Sequence, residues 1–253
     1  MIREEYKLIC YELLRHGDYI YEALLSCKGI DSDTSHVVSN VIRRAGENLV
    51  NVHKIAPSVD MDIMQRALVD RMRTLAYLHV KSEFSDFRKW DAARRYDDLI
   101  RARDNPPYPF ASQEIQEMDN ELEELRGYFG GVPEKARTYW KEPKTKEKIN
   151  TVAGRYLQKD SQKEWLYFLT YELPSRSLHT NANDMQVFSE AEVNRKFGTS
   201  LLTYLMLLAI PVDLILEASE RPDPIIEIGE RLCGIQNILL TDHQEERSKL
   251  FAQ

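Results

Sequence analysis

The sequence predicts an all-α fold, a single bundle of about seven or eight helices, because apolar residues recur at spacings of three and four in one segment after another. No run alternates in the β-branched pattern of a half-buried strand. Glycine and proline number only ten each in 253 residues, too few for a turn-rich sandwich or barrel. That length supports a large core. Residues 1–253 read as one helical domain, with residues 112–148 as a helical arm and basic linker within it.

The first helix is expected over residues 3–27, with Ile2, Tyr6, Ile9, Leu13, Ile20, Leu24 and Cys27 on one stripe. His16 lies on that stripe and reads as a core histidine. The second helix starts near Asp33 or Thr34 and stops before Pro57. Its apolar face is Val38, Val41, Ile42, Ala45, Leu49 and Val52. Beside that face runs a polar stripe of Asn40, Arg43 or Arg44, Glu47 and Asn51. Arg43 and Glu47 stand four apart, the spacing of a helical ion pair.

A third helical region, capped by Ser58 or Asp60, extends to about residue 104, with a break within residues 82–86. Ile63, Met64, Ala67, Leu68, Met72, Leu75 and Leu78 carry its first half; Phe84, Phe87, Trp90 and Leu99 carry its second. The prolines at 106, 107 and 109 end it. Ser112 is the expected cap of an acidic helix with a narrow seam of Ile115, Met118, Leu122, Leu125 and Phe129, closed by Gly130 and Gly131. A seam that narrow suits contact with one neighbour.

Residues 134–163 are basic, with nine Lys and Arg against four Asp and Glu. Two readings stand: an RNA-facing patch, or a solvated connection that complements the acidic arm. The next helix, capped by Asp160 or Ser161, is interrupted at Pro174. Ser189 and Glu192 form a capping box, with Phe188 and Val193 as its staple. The helix they open, kinked near Pro211, contains the apolar run Leu201–Leu216. Pro211, Asp213 and its shortness make that run a buried core helix rather than a membrane span. Asp223 and Pro224 start the last helix, on Ile225, Ile228, Leu232, Ile235, Ile238 and Leu239.

Net charge −7 and 30% charged residues argue against a surface built mainly for nucleic acid. Cys10, Cys27 and Cys233 form no paired motif and read as free thiols of a cytoplasmic protein. The N-terminus lacks a signal-peptide pattern. Phosphate-loop, nucleophile-elbow and zinc-protease motifs are missing. So is the Glu-x-x-His of di-iron bundles. No metal ligands or cofactor are assigned; convergence of His53, His79, His179 and Glu47 in space is the alternative that would bind a metal.

The densest polar stretch is residues 167–183. Tyr171, Ser175 and His179 are spaced four and four, within about 80° of one helix face. Arg73 followed by His79 matches the Arg…His spacing of the HEPN superfamily, compact helical bundles that include many ribonucleases of toxin and phage-defence systems. A second resemblance rests on Tyr171, Ser175 and His179 followed by Asn181, on Arg43 and Glu47, and on an aromatic-plus-Lys linker around Trp140. These residues are similar to the signature of an uncharacterised bacterial all-helical family, over residues 36–215. The resemblance implies a fold and a polar cluster, and no reaction.

If the cluster assembles, Glu47 orients His179, which becomes a general acid or base. Arg43 or Arg176 then holds a phosphate. Tyr171, Ser175, Asn181 and Asn51 are the remaining binding candidates. The alternative is a hydrogen-bonded network that fixes helix register. Three functions follow from these readings. The first is a non-catalytic binding or regulatory module of a defence or stress system, with a protein partner, a second copy or RNA as its target. The second is a metal-independent ribonuclease, and the third a metal-dependent bundle enzyme. No membrane partner is expected.

Overall fold

The computed structural model describes residues 2–56, 60–106, 109–156, 189–218 and 223–251. These residues form eight α-helices and one 3-10 turn, with no strand among them. The helices are α1 (Glu4–Ser26), α2 (Ser32–Ile55), α3 (Asp60–Lys81), α4 (Phe84–Asp104), α5 (Ser112–Phe129), α6 (Thr145–Tyr156), α7 (Glu190–Ala218) and α8 (Asp223–Phe251). They fall into two compact units. One comprises residues 2–81 with the described residues from 144 onward, and the other residues 82–143.

The first unit is built around α7, which packs against α1, α2, α3 and α8. Burial on nearly every side follows from its composition, and Phe197, Leu201, Leu207 and Leu208 are fully enclosed. The helix is long and apolar enough to cross a membrane, but most of its apolar window is buried inside the unit. It starts at the expected capping box: Glu192 accepts from the Ser189 amide and hydroxyl at 2.9 Å each. It also runs through Pro211 as one continuous helix.

Contacts along α7 fix the helix directions. Arg3 N–H donates to Asn194 Oδ1 at 2.8 Å, and Gly17 of α1 lies against Tyr204 further along α7. Hence α1 runs parallel to α7. Asp62 pairs with Lys196 and His79 approaches Glu217, so α3 is parallel as well. His53 packs on Phe197 and Gly46 meets Tyr204, which makes α2 antiparallel. The Asp31 carboxylate caps α2 by accepting from Thr34 N–H at 2.9 Å. The cap is thus earlier than Asp33, since only Asp31 stands three residues before an amide needing an acceptor.

The apolar stripe expected for α1 is buried, Cys27 excepted. On α3, Met61 rather than Ile63 enters the core, and Ile63 is exposed. Ile238 on α8 is likewise exposed, while Leu239 is fully buried. In both cases one of two apolar residues within two positions of each other faces solvent, a choice that spacing alone leaves open.

His16 occupies a half-buried position on α1, 3.6 Å from Glu12. Burial holds its pKa below the ordinary histidine value, with the Arg15 and Arg231 charges acting in the same direction and Glu12 opposing. The folded state therefore favours neutral His16. Its contribution to stability is complete above the unfolded pKa of about 6.5 and is lost as pH falls through the lower folded value. Glu12 adds a second loss below about 4.3. The Arg231 hydrogen bond, formed at 2.5 Å, is the main cause that lowers its pKa. Urea titrations of His16→Gln are expected to show a flatter pH dependence than wild type as pH falls below about 6.5. Equal slopes would refute this reading of His16.

In the second unit, α5 lays Leu122 and Leu125 against Ala92, Tyr96 and Leu99 of α4. The narrow seam thus meets the single neighbour it predicts, with Ile115 left exposed. The N-cap is Ala111, whose N–H donates to Glu114 at 2.8 Å, so Ser112 is already the first helical residue. Gly130 takes φ 69°, and Gly131 N–H closes on Arg126 O at 2.9 Å. The α5 carboxylates are met from α4: Arg95 bonds Glu121 at 2.6 and 2.8 Å, and Arg103 bonds Asp119 at 2.9 Å. Phe87 and Trp90 meet Trp140 edge to face, and Trp140 Nε1 donates to Glu83 at 2.8 Å. The backbone turns between α3 and α4 at Ser82, φ 56°.

Candidate functional site

Gly17 on α1 and Gly46 on α2 face each other where these helices pass over α7. A Cβ at Gly17 would sit 2.3 Å from the Tyr204 hydroxyl, and one at Gly46 would sit 3.3 Å from it. The glycines therefore let the buried Tyr204 reach outward between the two helices. Burial, reinforced by the Asp18 charge, pushes the Tyr204 pKa up, so the hydroxyl stays protonated and remains a donor.

Above Tyr204 the helices leave a groove of about 770 Å³. Leu14, Asp18, Tyr21 and Glu22 form its α1 wall. On the α2 side stand Ile42, Arg43, Gly46, Glu47, Val50, Asn51 and Lys54. Spacings of three and four put these α2 residues on one face. The base is apolar and the rims are charged. The α1 rim is acidic, whereas the α2 rim carries Arg43 and Lys54 with Glu47 between them. The volume is within the range usual for ligand pockets, about 300–1,000 Å³.

Arg43, Glu47 and Asn51 are thus brought together, exposed on one wall. No Arg43–Glu47 ion pair forms among the described residues. Glu47 instead places its charge near Arg71 of α3, where it opposes the downward pull of burial and of Arg44 on the Arg71 pKa. The other candidates, Tyr171, Ser175, Arg176, His179 and Asn181, lie outside the described residues. The Glu47–His179 pairing and the effect of Pro174 fall there too.

His53 and His79 are set at opposite ends of α7, against Phe197 and near Glu217. Twenty residues of helix separate those contacts by about 30 Å, so the two histidines share no metal ion. Among the described residues no group of three or more His, Cys, Asp or Glu is arranged to hold one. Arg73 and His79 are both buried on α3. Six residues apart, they point about 120° away from each other around the helix. In the basic segment, Lys135, Arg137, Lys141, Lys144 and Lys146 are exposed, but Lys148 is buried and donates to Thr74 Oγ1 at 3.0 Å.

Sequence reasoning missed the α1 wall, Lys54 and Tyr204. The available signal was a pair of mid-helix glycines, at 17 and 46, flanked by apolar stripes. It also missed that Asp62, Gln65, Arg73, Lys148 and Lys196, on α3, α6 and α7, are buried. Lys196 stands where the α7 periodicity expects an apolar residue, and that conflict was visible beforehand.

Residues 53–197 match a family of unknown function, DUF5677, over more than half of the chain. The chain belongs to the DUF5677 family. The DUF5677 match takes in Trp140 and the Tyr171, Ser175 and His179 positions, and it begins after Arg43 and Glu47. Of the groove residues only Lys54 lies within it. No curated protein and no solved structure matched the chain.

Proposed function

We propose that this DUF5677 protein is a non-catalytic binding module that takes a short polypeptide segment into the α1–α2 groove. The groove is the observation that carries this reading. It combines an apolar floor, a buried hydroxyl donor and rims of both charge signs, and three residues of the sequence-derived polar cluster line it. Charge complementarity favours an amphipathic peptide, with basic side chains toward Asp18 and Glu22 and acidic ones toward Arg43 and Lys54. The apolar seam of α5 is taken up by α4.

The ribonuclease reading rests on His179 and its neighbours, while Glu47, its intended orienting group, faces the groove. The test is a fluorescence-anisotropy screen of synthetic amphipathic peptides of mixed charge. Peptides that bind wild type are expected to lose roughly tenfold or more in affinity to Arg43→Glu and to Lys54→Glu. A folded protein that binds none of them, or binds equally well after both charge reversals, would overturn the proposal. Cleavage of RNA in EDTA that disappears in His179→Ala would replace it with the ribonuclease reading.

A further inference from the structure

The face of α1 that points away from the core carries a second pattern. Leu8, Tyr11, Arg15, Asp18, Glu22 and Leu25 are all exposed. Their spacings alternate three and four through nearly three heptads, the period of a coiled-coil seam. At about 100° per residue this stripe lies opposite the buried stripe of Tyr6, Leu13, Ile20 and Leu24. Leu8 is 63% exposed, Tyr11 64% and Leu25 52%, so its apolar members are among the most exposed large hydrophobic side chains of the described residues. Neither Arg15 nor Asp18 has an ion-pair partner among those residues.

We infer that this stripe is an interface between two copies of the chain, in which the α1 helices pair antiparallel about a twofold axis between residues 16 and 17. The order of residues along the seam selects that occupant. With the axis there, each position meets the one whose number completes 33, so Leu8 faces the partner's Leu25. Tyr11 then faces the partner's Glu22, a phenol against a carboxylate. Arg15 faces the partner's Asp18, and the twofold axis makes every pairing twice. Each layer sets an a position against a d position, as antiparallel helix pairs require. A parallel pairing in register would set Arg15 against Arg15, Asp18 against Asp18 and Glu22 against Glu22, three like-charge layers. The sequence of the seam is therefore complementary to itself in one direction only.

Asp18 and Glu22 belong both to this seam and to the groove rim, so the two surfaces adjoin. The dimer and a peptide in the groove draw on the same two carboxylates, whereas Leu8, Tyr11, Arg15 and Leu25 line no part of the groove.

Sedimentation velocity over a concentration series is the test, with circular dichroism to confirm folding. Wild type is expected to pass from monomer to dimer as concentration rises. Because each change enters the interface twice, Leu8→Asp and Arg15→Asp should each raise the dissociation constant roughly tenfold or more. Adding Asp18→Arg to Arg15→Asp should restore it to within about threefold of wild type. Direction is tested by oxidative cross-linking in a Cys27→Ser, Cys233→Ser background. Leu8→Cys with Leu25→Cys should yield covalent dimers. Leu8→Cys alone should not, because the two copies of position 8 stand about 25 Å apart in the antiparallel register. A chain monomeric at every concentration, a charge swap that fails to restore association, or a cross-link through Leu8→Cys alone would each overturn the inference.

Discussion

Lys196→Met is expected to destabilise the protein by about 3–5 kcal/mol in urea unfolding. Asp62 is 6% exposed and Lys196 9% exposed, and the ammonium and carboxylate pair directly between α3 and α7. Removing the cation leaves Asp62 charged in a site that excludes water, with the desolvation cost uncompensated. Replacing both partners removes the stranded charge. Asp62→Asn with Lys196→Met should therefore recover much of the loss, giving a coupling energy of about 1–3 kcal/mol. A cost below about 1 kcal/mol for the single change would mean that the pair is solvated. A double variant no more stable than the single one would mean that α3 and α7 are not joined through this contact.

Gly17→Ala is expected to be destabilising in wild type and stabilising in a Tyr204→Phe background. A methyl at position 17 would meet the Tyr204 hydroxyl oxygen at 2.3 Å but the ring carbon behind it at 3.4 Å. The first distance forces a shift, an overpacking cost of about 1–3 kcal/mol. The second is an ordinary contact. Alanine in a helix interior gains up to about 1 kcal/mol over glycine, and that gain shows only once the oxygen is gone. Chemical denaturation of the four proteins in this cycle checks the prediction. The same sign for Gly17→Ala in both backgrounds would show that Tyr204 does not reach between α1 and α2 as described. The cycle also probes the candidate site, because the Tyr204 ring is its floor.

Much of this architecture was legible in the residues. Tyr6, Leu13, Ile20 and Leu24 mark α1 because their spacing leaves one face for a core. The Ser189–Glu192 box marks the start of α7 because those two side chains satisfy each other's backbone donors. The break after α3 was legible too. The identity of the cap of α2 was not, since Asp31, Asp33 and Thr34 are all competent and the packing of the turn selects among them. The choice of Met61 over Ile63 was hidden for the same reason, because it depends on where α7 lies. Of the candidate site, the stripe of Arg43, Glu47 and Asn51 was readable from one helix. Its opposite wall was not, because Asp18 and Glu22 on α1 carry no local pattern that points across to α2. Tyr204 was hidden by the apolar run around it, and only the two glycines hinted at a close approach.

The claim that the α1–α2 groove is the binding site is tested most directly by amide hydrogen exchange with and without a peptide selected on the wild-type protein. Binding is expected to slow exchange within residues 14–22 of α1 and 42–54 of α2, and to leave α4 and α5 unchanged. Protection confined to α4, α5 or the basic stretch from residue 134, with the groove helices unaffected, would contradict it.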